Sequence, residues 1–297
     1  MASNTVAKKQ KNQWLAELQL EFSYNQHGSF LSKTTRKGPL SVQKAFYPEG
    51  PDCAHVYLLH PPAGIVSGDE LRVSLTLHDN AHMLLTTPGA NRFYRAREDL
   101  TIGDSKQTQI TTLRLAKQSK AENLPQETIV YEGADGFNSV DIHLSENSVY
   151  LGWDITCLGL PHSDQHFRKG QYTQLNRLFC NNQLIYHDRI AVSPKNQLLT
   201  HPAGLASHSV FATFLAYAPN KQMDSQEQKL ILNDLREQIE QAQALDQVSI
   251  TNINGLIVIR YLGESAQQCK NLFITLWQYL RPLFLNKTSL QPRIWHT

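Results

Sequence analysis

Apolar and polar residues alternate from Trp14 onward. Trp14, Ala16, Leu18, Leu20, Phe22 and Tyr24 stand against Leu15, Glu17, Gln19, Glu21 and Ser23, which predicts a strand with one buried face. Asn25 to Gly28 and the Gly38-Pro39 pair break the pattern as turns. Residues 40–50, with Phe46-Tyr47 and a closing Pro48-Glu49-Gly50, predict a strand that ends in a tight turn. Residues 56–59 are short and continuously apolar, as in a strand buried on both faces. Leu71, Val73, Leu75 and Leu77 then alternate with Arg72, Ser74 and Thr76. Residues 81–87, 107–115, 128–131, 140–144 and 148–158 repeat the theme, each bounded by Gly, Pro, Asn or Asp. Residues 172–180 and 184–188 flank Asn181-Asn182, a hairpin turn. No helical pattern intervenes, so the body is all β. Periodicity alone does not separate a sandwich, a barrel and a β-solenoid, and no fixed-length repeat is present.

The C-terminal third has a different period. From Asp224, Ile231, Leu235, Ile239 and Ala242 share one face at helical spacing, predicting an amphipathic helix of roughly five to six turns. Residues 248–253 and 256–261 around Asn254-Gly255 predict a hairpin with a type I′ turn. A second helix is expected from Ser265, carrying Cys269, Leu272, Phe273, Leu276, Trp277 and Leu280 and ending at Pro282. The last stretch is tied down by Ile294 and Trp295. The chain therefore divides into a polar flexible tail over 1–13 and one domain over 14–297. Within that domain a β body covers about 14–215 and an α/β part about 216–297.

Between two strands lies Tyr57-Leu-Leu-His-Pro-Pro-Ala-Gly-Ile-Val-Ser-Gly-Asp-Glu-Leu-Arg72. Pro61 and Pro62 have no backbone donors, so this connection cannot join a ladder there. Gly64 and Gly68 permit positive φ or close backbone approach. His60 and Asp69 stand at the two mouths of a rigid loop, where binding residues concentrate. The plainer reading is a turn in which Asp69 accepts from nearby backbone N–H groups. Arg92, Arg95 and Arg97 with Phe93 and Tyr94 make a second conspicuous run, suited to a protein contact or to a solvated turn.

Composition narrows the functions. A net charge of +2 over 297 residues gives no case for nucleic acid or an anionic membrane. Cys53, Cys157, Cys180 and Cys269 are widely separated, neither a disulfide framework nor a zinc ribbon. No long apolar segment could span a membrane and the polar start lacks a signal-peptide core, so a cytoplasmic protein is expected. There is no phosphate-binding G-x-x-x-x-G-K-[ST] loop and no G-x-S-x-G elbow. Asp69, Glu70, Glu127 and Glu132 could pair as glycosidase carboxylates, which makes a β-helical polysaccharide-acting enzyme the alternative. The 12 histidines include His55, His60, His78, His82 and the His162/His166 pair. No dense Cys/His cluster stands in the sequence, so weak open metal sites fit better than a closed one.

Seven segments then carry a resemblance. They are Gly38-Pro-Leu40, Phe46-Tyr-Pro-Glu-Gly50, His60-Pro-Pro-Ala-Gly-Ile-Val-Ser-Gly-Asp69, and Thr86-Thr-Pro-Gly-Ala90 with Phe93-Tyr-Arg95. Leu124-Pro-Gln-Glu-Thr128, Gly152-Trp153 and Pro292-Arg-Ile-Trp295 complete the set. In this order the chain resembles the urease accessory protein UreD (UreH) family from residue 14 to its end. It departs at Ala63 and Ser67, where the family's loop has glycine, at Asn123, where tryptophan is usual, and at Leu160, where arginine is common. The resemblance implies an irregular right-handed β-helix with a small helical part and a non-enzymatic role in urease maturation. It implies binding to apo-urease and to a UreF-type protein, which recruits a UreG-type GTPase, and help in delivering nickel. On that reading no cofactor is tightly bound and Ni2+ passes through transiently. Asp69 and Glu127 are then the channel-facing carboxylates, with His60 orienting the loop or touching the ion. Thr86, Thr87 and Arg95 shape the channel wall or a partner surface. Arg293 and Trp295 lie in a segment that either meets a partner or closes the core.

Overall fold

The computed structural model describes residues 14–145, 147–219 and 225–296. The tail expected over 1–13 and the expected helix start at Asp224 lie outside the described residues. The chain runs through β1 (Trp14–Asn25), β2 (Gly28–Lys37), β3 (Ala54–Tyr57), β4 (Asp69–Leu77), β5 (His82–Thr86), β6 (Asn91–Phe93), β7 (Gln107–Leu115), β8 (Lys120–Asn123) and β9 (Thr128–Val130). It continues through β10 (Asp135–Leu144), β11 (Val149–Leu160), β12 (Gln165–His166), β13 (Gln171–Cys180), β14 (Gln183–Val192) and β15 (Val210–Tyr217). Helix α1 (Ser225–Gln241), β16 (Val248–Ile253), β17 (Leu256–Gly263) and helix α2 (Ala266–Leu285) follow. The protein is mainly β, with both α-helices in its C-terminal part.

The strands form two sheets. The first has the order β14-β13-β10-β7-β4-β1-β2. Its five inner strands are parallel, and a hairpin closes each edge. The second contains β16-β17-β15-β11-β8-β5-β3, parallel from β3 to β11 and antiparallel beyond. Between successive inner strands of the first sheet the chain visits the second and returns. That excursion is what lets neighbours run parallel, because two-residue turns join only antiparallel strands.

Registers stack the inward residues in rows. Leu20, Leu75, Leu113, Ile142 and Leu178 lie side by side across five strands, and all are buried. Burying each such side chain contributes about 1.5–3 kcal/mol. One apolar core fills the space between the sheets. A second lies between the outer face of the second sheet and the helices, with Trp277, Phe273 and Leu276 of α2 against Trp153, Phe214 and Ile259.

Most predicted elements are present, and both Asn-containing hairpin turns have the positive φ that type I′ requires: 48° and 65° at Asn181 and Asn182, 50° and 87° at Asn254 and Gly255. Some expectations change. Residues 40–50 form no continuous strand; two isolated bridges, Ser41 to Leu59 and Phe46 to His55, hold the segment to the β3 region instead. Helix α1 is described over 17 residues, Ser225–Gln241; soon after its end Gln243 takes the left-handed conformation at φ 55°. Helix α2 runs past Pro282 to Leu285. Pro282 and Gln278, one turn back, are both exposed, so water can serve the carbonyl that the proline leaves without a donor. Finally β15, a run buried along its whole length, stands where periodicity gave no signal.

Candidate functional site

The inward rows of the first sheet turn polar toward one end. Beside the leucine row, Leu18 and Val73 neighbour Thr111, Val140 and Asn176; one row further, Ala16 and Leu71 neighbour Gln109, Asn138 and Gln174. Amide side chains cannot interdigitate with the opposite sheet as leucines do without finding hydrogen-bond partners. They hold one another: Asn138 Nδ2 donates to Gln174 Oε1 at 2.9 Å, and Gln174 Nε2 donates to Asn176 Oδ1 at 3.0 Å. Asn176 Nδ2 then crosses between the sheets to Asp154 Oδ2 on β11, at 2.6 Å.

This polar end borders a cavity of about 260 Å³ between the sheets. Gln109, Thr111 and Asn138 line it from the first sheet, Asn123, Trp153 and Asp154 from the second. His60, Ala63 and the segment from Thr87 to Arg92 roof it. Pro88 and Gly89 are exposed, so the cavity reaches the surface at this roof. Asp154 Oδ1, Asn138 Oδ1 and Thr156 Oγ1 are enclosed and have no hydrogen-bond partner. Burial raises the Asp154 carboxyl to about 7; Asn176 and the more distant Arg260 oppose that rise, and Asp188 adds to it. Near neutral pH the carboxyl is therefore shared between its acid and its anion. As an acid it can donate as well as accept, as the Thr156 hydroxyl beside it also can.

Two departures in the loop lie at this roof. Ala63 sits in the left-handed region at φ 62°, where glycine is the unstrained residue. Ser67 is buried, and its Oγ accepts from the Arg97 backbone N–H at 2.8 Å while its carbonyl accepts from the Arg97 guanidinium at 2.7 Å. A hydroxyl thus adds an anchor for the neighbouring segment where glycine would offer only its carbonyl. Gly64 is needed for space, since a Cβ there would run into the Tyr94 ring.

The structure separates the residues singled out in the sequence. His60 and Thr87 line the cavity. Burial pushes the half-buried His60 imidazole below its ordinary value, and the charge of Asp69 opposes this. Asp69 accepts from the Val66 N–H at 3.0 Å and lines a separate recess with Glu70, Asp104 and Lys106. Burial raises its carboxyl above the usual range. Glu127 is half-buried on the strand-connecting segment next to Thr128, and its charge acts on Lys270 and Cys157. Thr86 is buried, donates to the Leu124 carbonyl at 2.6 Å and accepts from Trp295. Arg95 is exposed and paired with Glu98. Arg293 is exposed, whereas Trp295 is half-buried between Trp153 and Trp277. Asp154 escaped the sequence reading, although an acid inside the otherwise apolar run of β11 was a visible signal.

The family model for the UreD urease accessory protein matches residues 15–296. The chain is 68% identical to the urease accessory protein UreD of Psychromonas ingrahamii, covering 98% of this chain and 97% of that protein. It is 40% identical to the UreD of a Marinomonas species and 33% identical to that of Hahella chejuensis, in both cases over 96% of this chain and 91% of the other. Among the described residues no helix is long and apolar enough to cross a membrane.

Proposed function

Since this chain belongs to the UreD family of urease accessory proteins, we propose that it serves urease maturation as a non-catalytic scaffold that helps nickel reach the urease active site. A role in urease maturation follows from the membership. The finer reading has the chain, in the cytoplasm, bind apo-urease and a UreF-type protein and, through the latter, a UreG-type GTPase. It is one domain over residues 14–297. Its excursions between two sheets, with parallel neighbours in each, support the reading of an irregular right-handed β-helix.

One observation carries the transit reading: a cavity between the sheets with apolar walls and one polar end, roofed by the His60 and Thr87 segments and reached by Asp154. Oxygen ligands and an occasional imidazole hold a divalent ion weakly enough to release it. His60, Thr87 and Asp154 are the groups an ion would meet along this cavity. Asp69 and Glu127 do not line this cavity; in this scheme their carboxylates serve its approaches. Nickel is cargo in this scheme, and no resident cofactor is required for it.

The test is co-expression of the chain with apo-urease and UreF- and UreG-type proteins, followed by a pull-down and a urease assay with nickel and bicarbonate. Co-purification, with activity that depends on this chain, supports the scaffold. Asp154→Ala, Asp69→Ala and Glu127→Ala variants that assemble normally and activate poorly support transit. Full activation by all three variants rejects the route and leaves the scaffold role standing.

A further inference from the structure

Each sheet ends in two edge strands, and among the described residues only one of these edges is unguarded. In β2, Lys33, Arg36 and Lys37 are exposed, and a bulge shifts the pairing with β1 between Glu21 and Phe22. In β14 a second bulge, opposite Leu178 and Phe179, accompanies His187, Asp188 and Arg189. Beside β3, the preceding segment forms bridges from Ser41 to Leu59 and from Phe46 to His55. Charges, bulges and covering segments keep an edge from pairing with another chain. Strand β16, Val248-Ser-Ile-Thr-Asn-Ile253, has no charge, no proline and no break in its pairing with β17.

The register shows which backbone groups this edge presents. Val248 stands opposite Tyr261, and one step beyond, the Leu262 N–H donates to the Gln247 carbonyl at 2.8 Å. Hydrogen-bonded and non-hydrogen-bonded pairs alternate along an antiparallel ladder. Ser249, Thr251 and Ile253 therefore bond to β17, while Val248, Ile250 and Asn252 turn their N–H and C=O groups outward. The Val248 N–H bonds back to the Ala244 carbonyl at 3.1 Å. The N–H groups of Ile250 and Asn252 and the carbonyls of Val248 and Ile250 have no backbone partner among the described residues. On one face of the strand Val248 and Ile250 pack, half-buried, against the core beneath the helices. On the other face Ser249, Thr251 and Ile253 are exposed.

We propose that β16 pairs with β16 of a second copy of this chain, antiparallel about a two-fold axis at Ile250. In that register Ile250 faces Ile250 of the second copy and Val248 faces its Asn252. The Ile250 N–H of each copy donates to the Ile250 carbonyl of the other, and the Asn252 N–H donates to the Val248 carbonyl. The free donors of one edge thus meet the free acceptors of the other, and the Val248 N–H stays with Ala244. Ser249 stands beside Thr251 of the second copy, and no charge within the strand opposes a like one. The strand end with the exposed Ile253 approaches the other copy's strand start, which the exposed Leu245 precedes. A strand from another protein would have to supply this uncharged pattern, which the chain's own edge already has. With one unguarded edge per copy the contact is isologous and closes at two. A single strand pair is a small interface, so the dimer dissociates on dilution. This concerns assembly of the chain with itself and is independent of the transit reading.

Sedimentation of the full-length chain over a concentration series tests it, and the average mass should rise toward twice that of the monomer. Ser249→Glu with Thr251→Glu sets like charges against each other across the axis and should hold the chain monomeric. Ser249→Glu with Thr251→Lys sets opposite charges there and should restore the dimer. Both positions are exposed in the monomer, so neither pair of changes disturbs its core. Should the chain not stay in solution alone, oxidation in a cell lysate reads the same register. Ser249→Cys with Thr251→Cys should cross-link two copies, because these residues face each other where paired strands approach most closely; either change alone should not. A wild type that stays monomeric throughout, equal masses for the two charge variants, or a double-cysteine chain that fails to cross-link overturns the proposal. Amide protection of β16 that appears only when another protein is added assigns the edge to a foreign strand and overturns it equally.

Discussion

The indole Nε1 of Trp295 donates to Thr86 Oγ1 at 2.8 Å, joining residues 209 positions apart. The same hydroxyl donates to the Leu124 carbonyl at 2.6 Å. The C-terminal segment is thereby fastened to the strand that leads into the cavity roof. Two motifs of the family, Thr86-Thr-Pro-Gly and Pro292-Arg-Ile-Trp295, meet in one hydrogen bond.

Replacing Thr86 by valine keeps the shape and leaves the Trp295 donor and the Leu124 acceptor without this partner. Stability should fall by about 1–3 kcal/mol. A urea-denaturation cycle with Trp295→Phe checks it: strict additivity of the two changes would show that the bond contributes nothing.

Arg281 is fully buried and offsets two carboxylates at once. Arg281→Met leaves Glu49 and Glu122 uncompensated and should cost roughly 3–5 kcal/mol. Thermal unfolding of the variant measures this. A wild-type melting curve would mean that the network is not formed in solution.

Asp154 gives a pH dependence of definite sign. Its carboxyl ionises near 3.8 in the unfolded chain and near 7 in the folded one. Its contribution to stability is full below the lower value and is lost as pH rises through the upper one. Relative to Asp154→Asn, the wild type should lose roughly 4 kcal/mol across that window. Melting temperatures of both proteins along a pH series test it; parallel curves would rule out a buried, raised carboxyl.

Ala63 holds a left-handed conformation at φ 62°. Ala63→Gly relieves that strain, partly offset by the greater freedom of glycine in the unfolded chain, for a net gain of about 0.5–1 kcal/mol. Denaturant midpoints decide the sign, and a loss of stability would contradict the assigned backbone.

A bulky side chain at the cavity wall tests the transit route by sterics. Thr87→Trp, at a position that lines the cavity, should leave pull-down of the partners intact and reduce urease activation several-fold. Unchanged activation would place the route elsewhere.

Much of the architecture was legible because its signals are local. The alternation in β1 and β4, the Asn-Gly hairpin and the Ser265 cap depend on side-chain direction and φ preference within a few residues. The seven motif segments likewise sufficed for the family. What remained hidden depends on register. Asn138, Gln174 and Asn176 read as ordinary polar positions until parallel pairing sets them side by side facing Asp154. Cys53, His55, His82 and Glu122 look unrelated along the chain, since 27 residues separate the histidines and 40 more precede the acid. Periodicity specifies which face a residue occupies, but not which strand lies next to it or what covers that face. Only the folded sheets, with α2 laid over one of them, decided that some polar side chains surround a cavity and others a buried cluster, because burial without water forces each to find its partner across the fold.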